Sequence, residues 1–237
     1  MLLWGLYIDP LYIVLFIATL AISGAAQLFI RSQFGKYSEI RTASGLSGAQ
    51  VGQRIVDNVD FGGNRGSATG ISFKVVPGDL SDHFDPRTKE IGLSEKVAQR
   101  DSVAAMAVTA HEVGHAQQDA EGTVAMRARA FLVPAVTFSP TLSYILIFIG
   151  LIFNLAGLFW LGIIVFGLMV VFSILTLPVE IGASRRALVM LSESGLMTTA
   201  EEEQGVKRVL TAAAMTYVAA AVTSILTLLY YISIARR

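Results

Sequence analysis

The chain contains no cysteine. Disulfides are therefore excluded, and so are zinc sites built on thiolates. The absence is compatible with either redox compartment. Charge is also scarce: 15% of the residues are charged, against about 25% in ordinary globular proteins. Basic and acidic side chains balance at 18 each, so no nucleic-acid partner is expected. The glycine-rich run at 62–70 lacks the Gly-Lys-Ser/Thr ending of a phosphate loop and reads as a flexible loop. No internal repeat is visible.

The missing charge is concentrated in three tracts. Residues 10–30, 130–179 and 209–234 hold none. A membrane span needs about 20 apolar residues. The first and last tracts supply one span each, and the middle tract of 50 residues supplies two. The expected spans are 10–30, 133–153, 157–178 and 210–234. Asn154 and Gly157 mark the turn of a helical hairpin, and Pro134 and Pro140 should kink or start its first helix. A buried hairpin core is the alternative for the middle tract. The N-terminus has no basic region before the apolar run, which continues past Ala-Ile-Ser-Gly-Ala-Ala at 21–26 to Ile30. An uncleaved anchor fits better than a signal peptide.

Basic residues in short flanks set orientation. Arg31, Lys36 and Arg41 follow the first span, Arg127 and Arg129 precede the second, Arg185 and Arg186 follow the third, and Lys207 and Arg208 precede the fourth. Residues 1–9 and the turn near Asn154 carry no Lys or Arg. This predicts cytoplasmic segments at 31–129 and 180–208 with the N-terminus outside. Arg236 and Arg237 run against the rule, and a last helix lying on the membrane is the alternative there. The expected fold is mainly α, a polytopic membrane protein with a small α+β zincin-like domain at 31–129.

Within 31–129, residues 46–56 read as a helix capped by Ser47, with Val51 and Ile55 on one face. Residues 71–76 and 88–93 read as strands joined by a polar connection at 77–87. The second strand is expected at a sheet edge, open to an extended peptide.

Histidine is the other scarce residue, with three in 237 positions. Two of them lie in His-Glu-Val-Gly-His at 111–115. Asp101 or Ser102 can cap a helix that continues through Ala-rich 103–110 into this motif. Four residues apart, His111 and His115 leave one helix face one turn apart, the spacing at which two imidazoles share a zinc ion. Glu112 is then placed as general base toward a water activated by the metal. Two histidines on an ordinary core helix are the structural alternative.

A catalytic zinc takes a third protein ligand. A downstream His-x-x-Gly-x-x-His extension is absent, because Gln118 and Glu121 occupy those positions. A glutamate on a later helix remains. Glu180 is the first charge after the uncharged middle tract, and a carboxylate at a membrane edge tends to be functional. An ion pair with Arg185 or Arg186, or plain solvation at a helix end, is the alternative. An even number of spans between His115 and Glu180 would return both to one face. Ser184 and Leu191 share the Glu180 face, and Gly195 could end that helix.

His-Glu-Val-Gly-His, Asp-His-Phe-Asp-Pro-Arg at 82–87 and Leu-Pro-Val-Glu-Ile-Gly-Ala-Ser-Arg-Arg-Ala at 177–187 together resemble the YugP-like membrane zinc metallopeptidases, over nearly the whole chain. The chain is more distantly similar to membrane gluzincins of the HtpX and Ste24 type, which carry His-Glu-x-x-His on one helix and Glu-x-x-Ala-Asp on another. The resemblance implies a Zn2+ cofactor held by His111, His115 and Glu180, with Glu112 as base. Ser184 stands where the distant relatives have the aspartate that orients a ligand histidine. The third histidine, His83, is a candidate oxyanion donor or a turn histidine bonded to a neighbouring carboxylate; the turn reading is favoured.

The expectation is a membrane zinc endopeptidase of the cell membrane, with its active site on the cytoplasmic face. Its substrates would be peptides or membrane proteins, and membrane partner proteins or a second copy are compatible with it. A non-catalytic zinc-binding scaffold is the alternative. A zinc transporter is disfavoured because the spans carry no charged or histidine ligands.

Overall fold

The computed structural model describes residues 9–236. The N-terminal flank at 1–8, read above as the outer end of span one, lies outside the described residues, as does Arg237. In chain order the elements are α1 (Pro10–Ser38), α2 (Gly48–Asn58), a 3-10 turn (Gly66–Thr69), β1 (Ser72–Val76), β2 (His83–Asp85), β3 (Glu90–Ser94), α3 (Glu95–Gln99), α4 (Val103–Ala120), α5 (Val124–Ile152), α6 (Ala156–Glu193) and α7 (Ala200–Ala235). They group into two units.

The first unit contains residues 9–27, 129–176 and 216–236. The helices α1, α5, α6 and α7 are each long and apolar enough to cross a membrane, as expected from the uncharged tracts. Phe131, Phe138 and Phe153 are more than half exposed, which suits a lipid-facing surface and would be costly in water. The hairpin turns where it was expected. Asn154 adopts positive φ of 54° between α5 and α6, whereas Gly157 lies inside α6. The hairpin closes tightly because its contact positions are small: a Cβ on Gly150 would lie 2.6 Å from the Phe159 nitrogen, and one on Gly162 2.9 Å from the Ile147 nitrogen. The Ser143 hydroxyl donates to the Gly162 carbonyl at 3.1 Å across the pair. Pro134 and Pro140 both lie within α5 rather than at its start.

The second unit contains residues 28–128 and 177–215. Its core joins Val51 and Ile55 of α2, Ile91 and Leu93 of β3, and Met106 and Val113 of α4. The α2 helix starts as the sequence predicts: Ser47 caps it and Gln50 returns the bond to the Ser47 backbone.

The sheet differs from the expectation. Its order is β1-β3-β2, with β1 parallel and β2 antiparallel to β3. The 88–93 strand is therefore central, not an edge. The polar connection contains a third strand, His83–Asp85, which folds back on β3 and covers it. Asp, His and Pro around Phe84 give this segment little strand propensity by itself. Its pairing comes instead from tertiary contacts: Asp82 accepts hydrogen bonds from the Ser94 nitrogen at 2.7 Å and the Ser94 hydroxyl at 3.2 Å. The free edges belong to β1 and β2.

The helix that carries Glu180 is also not separate from span three. It is the continuation of α6 through Glu193. It stops at Gly195, whose φ is +63°, with Leu196 donating to the Leu191 carbonyl at 3.0 Å.

Candidate metal centre

Helix α4 begins at Ser102, whose hydroxyl accepts from the Ala105 nitrogen at 3.2 Å. Of the two cap candidates, Ser102 is the one used. The Ala-rich first turns are fully buried, so the helix carries His111, Glu112 and His115 into the interior. Gly114 decides what can reach them. A Cβ there would lie 2.6 Å from the Ala183 carbonyl oxygen. Only a glycine lets the α6 backbone approach this closely, and that approach delivers Glu180.

His111, His115 and Glu180 are brought together; one ligand atom from each lies within 4.8 Å of the others. Glu180 Oε2 is 3.2 Å from His111 Nε2 and 3.4 Å from His115 Nε2. Zinc bonds of about 2.0–2.1 Å at tetrahedral angles separate neighbouring ligand atoms by about 3.3 Å. The donor set thus fits a zinc ion in chemistry and in spacing. All three side chains are buried, Glu180 to 2% exposure. Arg186, one alternative partner for Glu180, instead forms a two-pronged pair with Glu121 at 3.1 and 2.7 Å.

The far nitrogens of both rings are also held. Ser184 Oγ lies 3.2 Å from His111 Nδ1, so this hydroxyl reaches the ring of the first histidine. Gln118 Oε1 lies 3.1 Å from His115 Nδ1. The Gln118 amide nitrogen donates to the Val179 carbonyl at 2.8 Å, which fixes the amide's orientation because a carbonyl only accepts. Nδ1 of His115 must then carry a proton, so that in the neutral ring Nε2 is the nitrogen that can take a metal. Gln118 was visible in the sequence only as a missing motif glycine. Its position three residues after His115, on the same helix face, is the signal that could have revealed it. Gly182 completes this packing, since a Cβ there would lie 2.6 Å from the Gln118 amide nitrogen.

Glu112 is 8% exposed, and none of the hydrogen bonds around the cluster uses its carboxylate. Burial pushes this carboxyl up, against the downward pull of His111 and His115. Such a group can hold a proton and release it. Asp82 is close enough for its charge to add to the upward push.

His83 is exposed on β2, outside the cluster. Its Nδ1 lies 2.9 Å from the Ser81 carbonyl and donates to it. In the neutral ring, Nε2 is then an acceptor and has no proton to offer an oxyanion. The partner is thus a backbone carbonyl two residues away, where a neighbouring carboxylate was expected.

The family described as "Putative neutral zinc metallopeptidase" matches residues 12–236. The "Putative membrane protease YugP" of Bacillus subtilis (strain 168) is 39% identical over 224 residues, covering 94% of this chain and 96% of that protein. No solved structure matches the chain. With the match running through the apolar helices as well as the histidine–glutamate cluster, the chain belongs to the family of zinc metallopeptidases carrying that description.

Proposed function

We propose that the protein is a multi-pass membrane endopeptidase of the gluzincin type, with zinc held by His111, His115 and Glu180. The observation that carries this reading is the convergence of these three side chains within 4.8 Å, with Glu112 beside them on the same buried helix. Zinc held there would supply Lewis acidity, acidifying water and polarising a peptide carbonyl. Glu112 accepts the proton of the attacking water and passes it to the leaving amine. Gln118 and Ser184 hold the two imidazoles in the tautomers that keep Nε2 available. His83 stabilises its own turn through Ser81.

An extended peptide would pair with the free edge of β2, since β3 is covered on both sides. The substrates are membrane proteins or their loops. The basic flanks support a site on the cytoplasmic face, and other membrane proteins or a second copy remain compatible as partners.

The deciding experiment measures metal content and peptide cleavage on the purified full chain. The wild type should hold close to one zinc per chain and cleave. Glu112→Gln should keep the zinc and lose cleavage. A wild type that binds zinc but cleaves neither peptides nor membrane proteins would favour the scaffold reading.

A further inference from the structure

The segment Asp-His-Phe-Asp-Pro-Arg at 82–87 supplies no ligand to the metal cluster, yet each of its first four side chains has a definite partner within the second unit. The Asp82 carboxylate takes both hydrogen bonds that Ser94 can give, from its nitrogen at 2.7 Å and its hydroxyl at 3.2 Å. Ser94 is 1% exposed. The His83 ring lies over Gly92, the residue directly opposite in the ladder: a Cβ on Gly92 would stand 2.7 Å from His83 Cε1. Phe84 packs against the core. Asp85 accepts from the Arg87 nitrogen at 2.9 Å and pairs with its guanidinium at 3.2 Å.

These contacts hold a strand that has little else to hold it. Strand β2 is three residues long, and Asp85 faces Glu90 across the ladder, like charge against like. The chain enters and leaves the segment through Leu80 and Lys89, with φ of 55° and 57°, a conformation unfavourable for side chains of their size. Asn154 is the one other non-glycine residue with positive φ among the described residues. Strain of this kind persists where the surrounding contacts over-determine the backbone. The contacts also fix one register. A slip of one residue would turn Phe84 out of the core and separate Asp82 from Ser94.

What the segment leaves open is the outer backbone edge of β2. The strand packs against α4, and Asp82 is near enough to Glu112 for its charge to be felt there. We propose that Asp82 and Gly92 are positioning residues for the substrate: together they set the register of β2, and that register decides where an extended peptide paired along its outer edge lies relative to α4. This role rests on the peptidase reading.

The test uses the purified, zinc-loaded full chain, a peptide that the wild type cleaves, and hydrogen–deuterium exchange followed over residues 81–89 and over α4. Asp82→Ala should raise KM about tenfold, as the loss of hydrogen bonds to a charged group does, with kcat changed far less and zinc content unchanged. Exchange should rise in 81–89 and keep the wild-type rate in α4. Asp82→Asn should hold KM within about twofold of wild type, because an amide oxygen still accepts from the Ser94 nitrogen. Gly92→Ala should raise KM and exchange in the same way. Combining it with His83→Ala removes the ring that the new Cβ meets and should restore both. Asp82→Asn as impaired as Asp82→Ala would mean that the carboxylate acts through its charge, and no recovery in the Gly92→Ala, His83→Ala pair would mean that the ring contact sets nothing; either overturns the proposal. So does wild-type KM, or unchanged exchange in 81–89, in Asp82→Ala. A wild type that cleaves no peptide overturns the peptidase reading and the positioning role with it, and exchange then still reports whether Asp82 and Gly92 hold β2.

Discussion

Glu112, Gln118 and Glu180 divide the chemistry of the site between them. Glu112→Gln preserves shape and removes the proposed base, so kcat/KM on a peptide substrate should fall by about 10²–10⁴-fold with metal content unchanged. Gln118→Leu keeps the bulk of the side chain but leaves His115 Nδ1 without its acceptor. Zinc affinity, read by competition with a chelator, should fall by about 10–100-fold. Wild-type affinity in that variant would reduce Gln118 to a packing residue. Glu180→Ala should lower zinc affinity sharply, and Glu180→Gln less so, because an amide oxygen remains. Glu121→Ala should leave zinc bound, since Glu121 is engaged with Arg186. His83→Asn should retain cleavage within a few-fold; a loss as large as that of Glu112→Gln would restore His83 as a catalytic group. The two histidines and Glu112 were legible in the sequence because their spacing is local to one helix. Gln118 was not, because an amide has no metal-motif signature and its role depends on a carbonyl 61 residues away.

At the level of elements, the site depends on how closely α4 and α6 approach. Gly114→Val should force the Ala183 backbone away, costing about 1–3 kcal/mol as overpacking does. Thermal unfolding of the apo protein would show it, together with reduced zinc affinity. An unchanged melting temperature would mean that the helices have slack at this contact. The helices were readable from composition and caps: Ser47 and Ser102 act as N-caps, and the uncharged tracts are helices. The sheet was only partly readable. Residues 88–93 were recognised as a strand but placed at an edge. The short β2 strand that covers it has an unpromising composition and is held through Asp82 and Ser94. Strand order is a property of partners, and partners are not local in sequence.

For the whole molecule, the testable matter is orientation. Arg65 lies in a loop of the second unit, and the chain has no native cysteine. Arg65→Cys should therefore resist an impermeant thiol reagent in intact cells and react once the cells are opened. Ready labelling from outside would place the second unit, and the candidate site with it, on the opposite face.

By itself the sequence determined the four long apolar helices of the described residues, the hairpin turn at Asn154, and the placing of two imidazoles and a carboxyl on α4. Each of these follows from local composition or helical period. Only the tertiary structure decided which carboxylate joins the histidines, which strand is exposed, and which residues hold the rings. The first and last of these depend on close approaches, Gly114 against the Ala183 backbone and Gly182 against the Gln118 side chain. They join segments about 70 residues apart in the chain, a distance over which no local periodicity carries information.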